Sequence, residues 1–176
     1  NMTGGTITNC NANSSADSAG CGAGGAIFLG KGTVTLDGGT IVNCHAKNLG
    51  GAVMLEAENV AKTLEIKGNT VISGCYTNDS GNYGAIWVAN NANNTVKLSG
   101  NPTVTENKVG SDPRNIYLAG GNAKLELSEN FTGNVGVRIN DTNKDGFGEA
   151  FGTVATGAKI TGDGKITNDA DNRLVG

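Results

Sequence analysis

Several sets of residues in this 176-residue chain have types and spacings that could do chemistry. Thiols come first. Cys10, Cys44 and Cys75 stand 34 and 31 residues apart, and Cys21 lies between the first two. Four cysteines allow three pairings. Disulfides Cys10–Cys21 with Cys44–Cys75 are one reading in an oxidising compartment, and a ladder of small reduced side chains is the plainer one. Zinc would call for a CxxC pair or ready histidines, which the chain lacks. A second set is Asp141-Thr142-Asn143-Lys144-Asp145-Gly146-Phe147-Gly148-Glu149. Asp141, Asn143, Asp145 and Glu149 fall where oxygen ligands one, three, five and nine of a calcium loop belong, with the turn glycine at six. Position twelve is Gly152 instead of a bidentate glutamate. The plainer reading is an Asn/Asp/Gly turn, and apart from calcium no cofactor is suggested. The single histidine, His45, would need a nucleophile and an orienting acid to act as a base.

The elements that must position these residues are read from repeats. A glycine-led strand recurs as Gly24-Gly25-Ala26-Ile27-Phe28-Leu29, Gly50-Gly51-Ala52-Val53-Met54-Leu55 and Tyr83-Gly84-Ala85-Ile86-Trp87-Val88, with a looser copy at Arg114-Asn115-Ile116-Tyr117-Leu118. An alternating strand follows each copy: Thr33-Val34-Thr35-Leu36, Thr63-Leu64-Glu65-Ile66, Thr95-Val96-Lys97-Leu98 and Lys124-Leu125-Glu126-Leu127. A β-branched pair running into a turn closes the unit, at Ile7-Thr8-Asn9-Cys10, Ile41-Val42-Asn43-Cys44, Ile72-Ser73-Gly74-Cys75 and Val104-Thr105-Glu106-Asn107. Ile27, Val53, Ile86 and Ile116 recur at intervals of 26, 33 and 30 residues. Period-2 strands bounded by Gly, Asn, Asp and Ser, repeated near every thirty residues, predict a stacked solenoid. The expected fold is all-β: a right-handed parallel β-helix of about five coils, three short strands to a coil. Residues 1–139 form the coils and residues 140–176 an irregular cap of the same domain. A Greek-key sandwich would leave the in-register recurrence unexplained.

Composition agrees and excludes other classes. Glycine numbers 29 and proline 2, charged residues are 16% of the chain, and the net charge is −3. Such a chain has too many apolar residues for disorder and no basic run for a nucleic-acid partner. No apolar run is long enough for membrane insertion as a helix. No leader-like segment opens the sequence, so a mature piece or an excised fragment is expected.

Stacking in register assigns faces. Val34/Leu36, Leu64/Ile66, Val96/Leu98 and Leu125/Leu127 point inward, leaving Thr35, Glu65, Lys97 and Glu126 as an outward ladder that reads as a solvated sheet face. The same logic points Ile27/Leu29, Val53/Leu55, Ile86/Val88 and Ile116/Leu118 inward. Phe28, Met54, Trp87 and Tyr117 then form one outer stripe. A contiguous row of large apolar side chains in water marks an interaction surface, and flat aromatic faces suit sugar rings. The competing reading is a satellite core covered by another segment.

The GG-A-[IV]-x-[LV] strand, the T-[VL]-x-[LI] strand and the N-C turn together resemble the β-helical repeats of very large bacterial cell-surface proteins. They are similar to the adhesin-like proteins of gut Firmicutes, and more distantly to the GGAI repeats of chlamydial polymorphic outer-membrane proteins. The stretches 98–107, 115–118 and 135–139, with Phe151-Gly152-Thr153-Val154 and Ile166-Thr167-Asn168-Asp169, resemble the ends of such modules. The resemblance implies an extracellular, surface-tethered module anchored through sequence outside this stretch. Expected partners are a glycan or host surface protein and other modules of the same long chain. Parallel β-helices also include polysaccharide lyases and hydrolases, which cluster carboxylates on one outer face. The 16 acidic residues here are scattered, so a non-catalytic stalk or binding surface is expected, with a carbohydrate-active enzyme or a pure spacer as alternatives.

Overall fold

The computed structural model describes residues 1–14, 22–78, 83–119, 123–128 and 130–139. It also describes the backbone strands Lys159–Gly162, Thr167–Asn168 and Leu174–Val175. These residues contain no helix. They build a parallel β-solenoid of about four turns.

Three long ladders run the length of the stack. The first holds Ile27–Leu29, Val53–Leu55, Ile86–Val88 and Ile116–Leu118. The second holds Gly32–Asp37, Lys62–Lys67, Asn94–Leu98 and Lys124–Leu127. The third holds Thr6–Thr8, Thr40–Val42, Val71–Ser73 and Thr103–Thr105. Every neighbouring pair is parallel, with equivalent repeat residues opposite each other. A fourth ladder, which the three-strand repeat did not foresee, stacks Asn11–Ala12, His45–Ala46, Tyr76–Thr77 and Lys108–Val109. Two-residue strands are too short to carry a readable period. Asp112–Pro113 lies antiparallel on its last member and ends the ladder, since proline offers no N–H to a further strand.

The interior is the aliphatic stack that the alternation requires. Leu64, Ile66, Val96, Val53, Leu55, Ile86, Val88, Ile41, Ile72 and Val104 are fully buried. Each has an aliphatic neighbour on the coil above and below. End members Ile7, Ile27, Val34 and Leu127 lack one neighbour and are half-buried. Phe131 is fully buried against the same core.

The Gly-Gly-Ala motif has a geometric cause. Gly50 sits at φ +61°, a left-handed conformation that costs other residues strain. Gly51 has ordinary torsions, but a Cβ there would lie 2.5 Å from Tyr76 O and 2.7 Å from Tyr76 N. The strand enters the first ladder by passing directly against the backbone of the short fourth ladder. Ala52 then points inward, fully buried.

The last turn differs from the others. Strand Asn134–Ile139 pairs through Asn134 and Val135 with the third ladder and through Val137, Arg138 and Ile139 with the first. Only Gly136 separates the two pairings, so the corner and the fourth ladder are skipped. Lys159–Gly162 adds one more parallel rung to this strand.

Candidate functional site

The outer stripe exists as a register. Phe28, Met54, Trp87 and Tyr117 are mutual partners on successive strands, and Arg138 extends the row. It is not an exposed row. Phe28 is 43% accessible, whereas Met54 is 4% and Tyr117 3% accessible; Trp87 is half-buried. Phe28 has a partner in the row on one side only. Burial raises the Tyr117 phenol above its ordinary value, with Arg138 and Arg114 pulling the other way. The Trp87 indole Nε1 is buried and has no hydrogen-bond partner among the described residues. The interaction surface expected over four residues therefore reduces to Phe28 and the edge of Trp87.

The cysteine column is likewise in register. Cys10, Cys44 and Cys75 follow residues in left-handed conformation, Asn9, Asn43 and Gly74, at φ 54°, 55° and 64°. Each thiol lies near the carbonyl two residues earlier, at 3.8 Å for Cys10–Thr8, 3.5 Å for Cys44–Val42 and 3.5 Å for Cys75–Ser73. The three share one orientation. All three stand as free thiols in this structure, with no Cys44–Cys75 bridge; Cys21 lies outside the described residues. The reason is spacing. Parallel Cβ vectors on adjacent coils stay near 4.8 Å apart, beyond the roughly 3.5–4.5 Å that a disulfide spans.

Burial pushes the Cys75 thiol up to about 12 from an ordinary value of 9.0, and desolvation raises Cys44 as well. At pH 8 in the native protein, N-ethylmaleimide should therefore modify half-exposed Cys10 while sparing Cys44 and Cys75. Mass spectrometry of tryptic peptides reads this directly. The sign of the pH effect follows. The folded state holds the Cys75 proton more tightly, so this contribution to stability is fully present below pH 9 and is lost as pH rises towards 12. An unchanged urea midpoint between pH 8 and 10.5 would contradict it.

The column ends on a polar residue. Asn107 takes the next slot, and Asn115 sits beside it, also buried. The Cys75 N–H donates to Asn107 Oδ1 at 2.9 Å; Asn107 Nδ2 donates to Ile72 O at 3.0 Å, Thr105 O at 2.9 Å and Asn115 Oδ1 at 2.9 Å. This network holds Glu106 at φ 61°, a left-handed conformation that neither glycine nor asparagine is there to ease.

His45 stacks on Tyr76 with ring centroids 4.5 Å apart. Its Nδ1 lies 2.9 Å from Asn11 Oδ1. Its slot-mates are Asn11, Tyr76 and Lys108, as the repeat requires. An amide and a phenol ring stand where a triad would put an acid and a nucleophile.

On the second ladder Thr35 donates to Glu65 at 3.0 Å, Lys97 pairs with Glu126 at 3.1 Å, and Lys67 lies 3.8 Å from Asp37 and 3.9 Å from Glu65. Glu65, Lys67, Lys97 and Glu126 rim a shallow depression of about 280 Å³. Exposed pairs of this kind contribute little each. Its alternating charges make a neutral, hydrated face.

One buried cation escaped the sequence. Lys62 looks like the end of a loop; instead it begins the strand Lys62–Lys67, and it is fully buried. Its Nζ donates to Glu58 O at 2.7 Å and Val60 O at 2.9 Å. Asn94, opposite it on the next coil, donates through Nδ2 to Glu56 O and Ala89 O at 3.0 and 3.1 Å. The two residues are struts for the loops entering the second ladder. The only signal was polar residues sharing a slot at the strand's first position.

Among the described residues no three His, Cys, Asp or Glu side chains converge on a point that could hold a metal. The calcium-loop residues Asp141, Asn143, Asp145 and Glu149 lie outside the described residues. No described helix is long and apolar enough to cross a membrane. Comparison with family models, with curated proteins and with solved structures finds no match for this chain.

Proposed function

We propose that this chain is a non-catalytic module of a bacterial cell-surface, adhesin-like protein. It serves as an extracellular rod and carries a lateral binding surface for a glycan or a host surface protein. The observation that supports this reading is the unbroken register of its ladders, coil after coil. A stack of this kind is stiff along its axis and repeats its outer faces, which suits a stalk that holds a surface away from its anchor. Binding is assigned to the aromatic edge at Phe28 and Trp87. The burial of Met54 and Tyr117 favours a second reading, a spacer that binds nothing itself.

A glycan array run beside a reducing-sugar release assay separates these from each other and from a carbohydrate-active enzyme. Binding without sugar release is the expected result, and it should be lost in Phe28→Ala at unchanged melting temperature. Silence in both assays leaves the spacer; release of sugar overturns the proposal. Trp87→Ala is expected to lower stability by about 2 kcal/mol, below the ~3–5 kcal/mol of a fully buried aromatic because Trp87 is half-buried. Chemical denaturation checks that figure, and a loss under ~1 kcal/mol would mean that Trp87 stands free of the core.

A further inference from the structure

We propose that the outer end of the cysteine column binds one copper(I) ion, held in line between the sulfurs of Cys10 and Cys44. Three observations lead there. The thiols are stacked by the fold itself: His45 N–H donates to Cys10 O at 2.8 Å and Tyr76 N–H to Cys44 O at 3.0 Å, which fixes one cysteine above the next. They also share one orientation, each beside the carbonyl two residues back, and Cys44 Sγ reaches up to Ile7 O on the coil above at 4.0 Å. The sulfurs therefore repeat with the coil spacing. Finally, Cys10 is half-exposed while Cys44 and Cys75 are buried, so the column opens to solvent at one end only.

The spacing that defeats a disulfide fits a bridging metal. Metal–thiolate bonds run to about 2.3 Å, so two in line span about 4.6 Å, close to the coil spacing of about 4.8 Å. A metal between stacked sulfurs also leaves each metal–sulfur bond roughly perpendicular to its Cβ–Sγ bond, as thiolates prefer. Two thiolates in line, with no group of three metal-binding side chains among the described residues, suit a soft monovalent ion better than the tetrahedral preference of zinc; thiolate ligands select copper(I). On binding, each thiol releases its proton to solvent and each sulfur donates one lone pair. Copper stays in the +1 state, so no oxidant or reductant takes part. The dithiolate carries one net negative charge, which places it at the Cys10–Cys44 step, where one end is solvated, and not at the fully buried Cys44–Cys75 step.

The test uses the full chain in a Cys21→Ser background, so that only the column supplies thiols. Copper(I) is delivered anaerobically against bicinchoninate and read by native mass spectrometry. One copper per chain is expected, with X-ray absorption showing two sulfur scatterers. Cys10→Ala should lose the ion to the competitor, and Cys75→Ala should keep it, with circular dichroism verifying that each variant is folded. In the parent, copper(I) should block alkylation of Cys10, a readout that needs no variant. Copper retained by folded Cys10→Ala, a tetrahedral or nitrogen-containing site, or alkylation of Cys10 unaffected by the ion would each overturn the proposal.

Discussion

Gly51→Ala should lower stability by about 3 kcal/mol or more, the upper range for a group forced into a packed interior. For a chain of this length that is a fall in melting temperature of roughly 10 °C. The added Cβ would meet Tyr76 O at 2.5 Å and the Tyr76 carbonyl carbon and nitrogen at 2.7 Å. These are backbone atoms, already committed: Tyr76 N–H donates to Cys44 O, and the strand Tyr76–Thr77 is paired on both sides. Neither partner can retreat without opening a ladder. Gly4 provides the control. Nothing lies within 4 Å of a Cβ there, and Gly4→Ala should be neutral or slightly stabilising through the unfolded chain. Thermal melts of the two variants side by side decide the matter, and equal melting temperatures would show that the close approach is not real.

Asn107→Ala should be of similar size, again about 3 kcal/mol. It leaves the Cys75 N–H, Ile72 O and Thr105 O without a side chain that each now uses, and a buried group so orphaned costs about 1–3 kcal/mol. Asn107→Cys tests which feature of the residue matters. It extends the cysteine column by one member, and the new thiol can approach Thr105 O as Cys75 approaches Ser73 O. It cannot accept the Cys75 N–H as the amide oxygen does. A loss of about 2 kcal/mol is expected from that one orphaned donor, measured by urea denaturation. If Asn107→Cys proved as stable as the parent, the slot would ask only for a small side chain.

These two cases mark what the sequence made legible. The long strands could be read because in-register stacking demands the same residue type at the same place on every coil; Val34, Leu64, Val96 and Leu125 announce themselves that way. The cysteine slot could be read for the same reason, including its occupation by Asn107. The bonds that Asn107 makes could not, because they depend on where Asn115 arrives from the following strand. Register likewise placed Phe28, Met54, Trp87 and Tyr117 together, but alternation gives only the side of the sheet, never the cover over it. Lys62 failed in the opposite way. A lysine at a loop end is ordinarily solvated, and only the loop's own carbonyls, turned back on the ammonium, draw it inside.

The strand Asn134–Ile139 has a mechanical consequence. The hydrogen bonds of a parallel stack run along its axis, so a force pulling along that axis loads them one coil at a time, like a zipper. A strand such as Val71–Ser73 belongs to one ladder only. Asn134–Ile139 is tied to two ladders at once, and both must part together. Under tension the steps held by a single ladder should therefore part before this strand does. Each released coil of about 30 residues would release about 100 Å of slack chain, making the module a stepwise extensible tether with one fast point.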